Sequence, residues 1–131
     1  MNKRIGATWL WFVAVALLGL QPAVHAQRMT EQYIPIGESP GISGEYSYIG
    51  PISAVDTSQH TITVRDQEEG VQIIQVTPHT LIWLDRTKMK QPNVEGDFSD
   101  CQSGRRVEVK FTDEDKSTAE WIKIEIHAER G

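Results

Sequence analysis

The sequence predicts a small all-β domain folded as a closed or partly open barrel. Three observations predict it. Apolar residues fall in short runs rich in β-branched side chains, turn-forming residues recur every ten or so positions, and nothing after residue 26 repeats with a helical period. The clearest unit is the stretch His60–Thr77, in which the runs Thr61–Val64 and Val71–Val76 flank the charged turn Asp66–Gly70. β-branched residues suit a pleated, half-buried surface, and glycine supplies the positive φ that longer hairpin turns use.

The chain opens with Met1-Asn2-Lys3-Arg4, runs apolar from Ile5 to Leu20 and reaches small residues at Val24 and Ala26. A basic start, an apolar run too short for a comfortable span and a small-residue cut site are the parts of a secretory signal peptide, 1–26, cleaved after Ala26. Gly19, Gln21 and Pro22 interrupt the run where an uncleaved anchor would continue, and no later stretch is apolar enough to span a bilayer.

Residues 27–45 form an extended arm. Pro35, Pro40, Gly37, Gly41 and Gly44 forbid a helix and disfavour a central strand. Tyr33, Ile34 and Ile36 are apolar, however, and a free tail exposing them would be a liability, so the arm is expected to pack on its own domain or to dock on a partner.

The barrel domain then occupies 46–131 and is expected to hold six strands. Tyr46–Val55 is the first, with Gly50-Pro51 marking a bend or bulge. Thr61–Val64 alternates strictly, placing Ile62 and Val64 on one face. Val71–Val76 alternates and then slips at Ile73-Ile74, which predicts a bulge or burial on both faces. Thr80–Leu84 is the fourth strand. Arg106–Phe111 gathers Val107, Val109 and Phe111, and Ala119–His127 turns Ile122, Ile124 and Ile126 inward with Trp121, Lys123 and Glu125 outward. The nineteen residues Asp85–Ser103 lack apolar periodicity and read as a short helical turn, a functional loop or a mobile one. A bend, a bulge and single-face burial together favour a curved sheet.

Charge narrows the partners. The chain carries 18 acidic and 13 basic residues, and cleavage after Ala26 would remove two of the basic residues and no acid, taking the net charge from −5 to about −7. No basic stripe offsets this, which argues against nucleic acid and anionic lipid surfaces as partners. About 105 residues suit one domain burying roughly 65% of its unfolded surface. The single cysteine, Cys101, excludes an internal disulfide framework; its polar surroundings read as a partly exposed thiol or a link to a second chain.

The residues Gly50-x-Ile52-x-x-Val55-Asp56, Thr61–Val64, Val76-Thr77-x-x-Thr80-x-Ile82, Gly104-x-x-Val107-x-Val109 and Ala119-x-x-Ile122-x-Ile124 resemble small exported bacterial β-barrel domains, OB-like in shape, with no assigned activity. The resemblance covers roughly residues 48–126 and departs at Asp85–Ser103, which is longer and more charged. It implies a six-stranded OB-like barrel and a periplasmic or extracellular location, and brings no catalytic residues.

Chemistry is sparse in the sequence. His60 and His79 fall near the open end of the hairpin, where Asp56 or Asp85 could join them as zinc or copper ligands, but no third ligand has a fixed spacing. The acids of Glu95–Asp100 and Asp113–Asp115 lack calcium-loop spacing. No nucleophile elbow, phosphate loop or haem motif occurs. Tyr46, Tyr48, Trp83 and Trp121 could form an aromatic face for a glycan, a peptide or a protein, or simply pack. The expectation is therefore an exported, non-catalytic binding or scaffold domain without cofactor, contacting another cell-envelope protein or a second copy of itself. Tyr33, Ile34, Ile36, Trp83 and Trp121 are the candidate contact residues, and the alternative is a periplasmic metal-binding protein using surface histidines.

Overall fold

The computed structural model describes residues 30–112 and 116–128; the expected signal peptide, 1–26, lies outside them. Seven strands form one sheet: β1 Ser47–Asp56, β2 Thr61–Asp66, β3 Gly70–Gln75, β4 Leu81–Asp85, β5 Val94–Glu95, β6 Arg106–Phe111 and β7 Ala119–Glu125. Their order is β3-β2-β1-β6-β7-β4-β5. All neighbours are antiparallel except β4 and β7, which run parallel with Ile82 beside Ile122.

The sheet curls because β1 belongs to two halves at once. Its first half, Ser47–Pro51, pairs with β6, and its second half, Ile52–Asp56, pairs with β2. The change of partner happens at the Gly50-Pro51 bend, and the bulge falls just after it, between Ile52 and Ala54. Gly50 has a second role: a Cβ there would lie 1.9 Å from the Arg65 carbonyl oxygen. Only a residue without a side chain lets β2 fold back this closely. At the far side the ring closes through a parallel bridge between Gln75 and Thr118, with the Gln75 N–H donating to the Ser117 carbonyl at 2.7 Å. The result is a small OB-like barrel.

The core fills the barrel with alternate residues of each strand, among them Ile52, Ile62, Val64, Ile74, Val107, Val109, Ile122 and Ile124. Each is essentially excluded from water, and each such side chain contributes about 1.5–3 kcal/mol over leaving it exposed.

Four expectations change. The slip at Ile73-Ile74 creates no bulge: β2 and β3 keep an unbroken register from Thr61–Gln75 to Asp66–Gly70. Ile74 is buried, while Ile73 remains 64% exposed and Val71 56% exposed on the outer face. The period of two is obeyed, and two apolar residues stand outside. Second, the segment 85–103 is ordered by local hydrogen bonds: a 3₁₀ turn at Thr87–Met89, the added strand β5, and a 3₁₀ turn at Phe98–Asp100. Asp97 and Asp100 cap that last turn reciprocally, the Asp97 carboxylate accepting from Ser99 N–H and the Asp100 carboxylate from Asp97 N–H. Third, Cys101 is buried in the core because this turn tucks it inward. Loss of water pushes its thiol up to about 12, with the nearby Asp100 and Asp97 charges adding to the effect, so it is neither nucleophilic nor placed for a link to a second chain. Fourth, Trp121, Lys123 and Glu125 do point away from the core, yet all three are buried.

Candidate functional site

Part of that outer face is bonded by the arm. Residues from Gln32 onward belong to the same compact unit as the barrel, and the arm hydrogen-bonds to side chains on the outer faces of β4, β6 and β7. Pairing across these strands sets Trp83, Lys123 and Glu108 in one row. Glu108 is fully buried, and Lys123 is 1% exposed. A buried carboxylate is tolerable only when it is hydrogen-bonded, and Glu108 is: Gly37 N–H donates to Oε1 at 2.9 Å, and the hydroxyls of Ser43 and Ser47 each donate to Oε2 at 2.7 Å. Lys123 Nζ donates to Ser39 Oγ at 2.8 Å and stands 4.5 Å from the centre of the Trp121 ring. Trp121 in turn lies 5.9 Å from Trp83, tilted by 41°.

Asp85 at the end of β4 is the second anchor. Its Oδ2 accepts the Ile36 N–H at 3.0 Å and its Oδ1 accepts from the Thr87 N–H and hydroxyl. Burial works to raise the Asp85 carboxyl, but the Thr87 hydroxyl, the Ile36 and Thr87 amides and the Lys123 charge outweigh it and hold it below the ordinary range. Glu125 shows the same balance: burial opposes, and Lys88 at 2.6 Å and Arg106 at 3.0 Å win.

Among the five candidate contact residues, Tyr33 is 61% exposed and Ile34 half-buried, whereas Ile36, Trp83 and Trp121 are buried. Of the aromatic-face candidates, Tyr48 joins the core edge-on to Phe111, and Tyr46 is exposed. Glu108, Ser39 and Ser43 were not singled out from the sequence, and Asp85, singled out there as a metal-ligand candidate, instead anchors the arm through the Ile36 N–H. One signal was present: two tryptophans at outward positions of β4 and β7 imply that something covers that face.

A groove opens where the barrel is least complete, between β5 and the end of the β2–β3 hairpin. It encloses about 700 Å³ and is floored by Val76, Leu81, Ile82 and Phe98. His60 lines one wall with its ring 4.7 Å from Phe98, tilted by 34°. His60 is also one of three non-glycine residues with positive φ among the described residues, at 54°. Its carbonyl is held by Val76 N–H at 2.9 Å and Gln75 Nε2 at 3.1 Å. Glu95 and Asp97 also line it.

The backbone of β5 faces this groove. Gly96 N–H donates to the Ile82 carbonyl, so Gly96 and Ile82 form a bonded pair, as do Val94 and Leu84 two residues earlier. Alternation then turns the Glu95 N–H and carbonyl away from β4, and no described residue meets them. The groove thus combines an apolar floor with one unpaired strand edge.

The histidines do not gather. His60 lines the groove, His79 is exposed with its N–H on Thr77 Oγ1, and His127 pairs with Glu125. Among the described residues no three His, Cys, Asp or Glu side chains come together as a metal-ligating set. No helix among them is long and apolar enough to cross a membrane.

No protein-family model matches this chain, and no curated protein does. Among solved structures, a Cu(II) form of a tryptophan-to-alanine variant of CusF from Escherichia coli is similar, with 16% identity and a TM-score of 0.42 over 60% of this chain and 89% of that one. Strand order and the Gln75–Thr118 closure make this chain's barrel OB-like.

Proposed function

We propose that this protein is an exported, non-catalytic binding domain that captures an extended segment of another cell-envelope protein in the groove beside β5. The unpaired Glu95 N–H and carbonyl over an apolar floor carry this reading. An extended segment laid along β5 gains main-chain hydrogen bonds from Glu95 and buries alternate side chains on Val76, Ile82 and Phe98. A groove of about 700 Å³ accommodates a few residues of such a segment. The arm supports this role indirectly: by bonding to the outer side chains Asp85, Glu108 and Lys123 it takes up part of the other face, while the groove stays open among the described residues. Export is inferred from the basic, apolar and small-residue order of residues 1–26.

The test uses the Glu95→Pro variant and acetylated hexapeptides that alternate apolar and polar residues. Proline at this position removes an N–H that makes no ladder bond to β4, so the fold is retained. Peptide titration followed by amide NMR is expected to perturb Val76, Ile82 and Gly96 in the parent and to be abolished by Glu95→Pro with an unchanged thermal midpoint. Equal binding by parent and variant, or perturbations elsewhere on the barrel, would refute it. Amino-terminal sequencing of the chain recovered from the producing cell checks export, with Gln27 as the expected first residue.

A further inference from the structure

The charges around the groove say more about what it takes. Among the described residues its ionisable lining is His60, Glu95 and Asp97, with neither lysine nor arginine. The Glu95 carboxylate is exposed and meets no described partner. Asp97 spends one oxygen on Ser99, whose N–H it accepts at 3.0 Å, and no described residue bonds the other. Both acids belong to the β5 side of the groove, Asp97 two residues after Glu95 and next to Phe98, whose ring meets His60. The chain as a whole is acidic, with a net charge of −5.

Resting on the reading of the groove as a site for an extended segment, we propose that it selects segments in which a lysine or arginine adjoins an apolar or aromatic residue. Alternation along an extended segment sends neighbouring side chains to opposite sides, so one lies on the Val76–Ile82–Phe98 floor while the next reaches outward to the rim. A cation at that rim meets Glu95 and Asp97 with no lysine or arginine among the described lining residues, whereas an acidic residue meets two carboxylates. Selection by this site therefore comes as much from repelling acidic segments as from attracting basic ones.

The experiment compares two acetylated hexapeptides with the same apolar residues, one carrying lysine and one glutamate at the polar positions, titrated into the purified full chain at low and moderate salt. The lysine peptide is expected to bind at least about tenfold more tightly, a preference that shrinks with added salt. Glu95→Gln is expected to weaken the lysine peptide about threefold to fivefold and to strengthen the glutamate peptide, because an exposed pair carries a modest energy. Glu95→Lys is expected to invert the preference. Equal binding of both peptides would overturn the charge selection while leaving the groove as a segment-binding site. Failure of both to bind at millimolar concentration would overturn the groove reading together with it.

Discussion

The two faces of the β6–β7 pair are both buried, but by different means. Inward, Val107, Val109, Ile122 and Ile124 pack in an apolar core where water exclusion is the whole of the interaction. Outward, Glu108, Lys123, Trp121 and Glu125 are also buried: the arm bonds Glu108 and Lys123, the Trp121 ring faces Lys123, and Lys88 and Arg106 meet Glu125. The inner face tolerates any apolar residue of the right volume, whereas the outer face depends on particular donors at particular places. The β2–β3 hairpin supplies the control: its outer face has no such cover, and Ile73 simply stands in water.

The largest effect is expected at the inner face. Ile122→Ala should lower stability by about 3–4 kcal/mol through lost burial and the cavity left behind, read as a shift of the whole unfolding transition. Next comes the outer face. Glu108→Ala would leave the Gly37 amide and the Ser43 and Ser47 hydroxyls without their acceptor, costing about 2–3 kcal/mol. The signature would be local: hydrogen exchange at Gly37 should accelerate far more than at Ile124. If the two amides accelerate equally, the arm is not a separable layer.

Acid should distinguish the faces too. The Asp85 and Glu125 carboxyls are held below their ordinary values in the folded chain. Their contribution is therefore complete above about pH 4, where the same groups titrate in the unfolded chain, and is lost as pH falls through the lower folded values. Exchange at the Ile36 amide, which donates to Asp85, is expected to rise below about pH 4, after correction for intrinsic rates, before exchange at core amides such as Val109. The smallest effect belongs to the uncovered hairpin. Ile73→Thr should change stability by less than about 0.5 kcal/mol, whereas Ile74→Thr, one residue on, should cost several times more by chemical denaturation.

Much of the barrel was legible because it depends on local pattern. Alternation at Thr61–Val64, Arg106–Phe111 and Ala119–Glu125 marks strands without any knowledge of their neighbours, and Gly50-Pro51 marks the bend where β1 changes partners. The same pattern misled at Ile73-Ile74, where two adjacent isoleucines suggested an irregularity that an ordinary strand with one exposed isoleucine does not need. Cys101 misled for a related reason: polar neighbours in sequence say nothing about a 3₁₀ turn that points one side chain into the core.

The candidate site was less legible. His60 was singled out as a ligand candidate, yet its partner in the structure is Phe98, thirty-eight positions away in the chain. The groove exists because β5, a strand of two residues inside a segment without periodicity, ends one side of the barrel seam. By itself the sequence determined that the chain would form short curved strands with one apolar face, since side-chain alternation and turn residues act over a few positions. Only the tertiary structure decided that the other face would also be buried and where the seam would open. Both depend on contacts between segments far apart in the chain, such as Gly37 with Glu108 and Ile36 with Asp85, and the strength of those contacts comes from a water-poor environment that exists only after the barrel has closed.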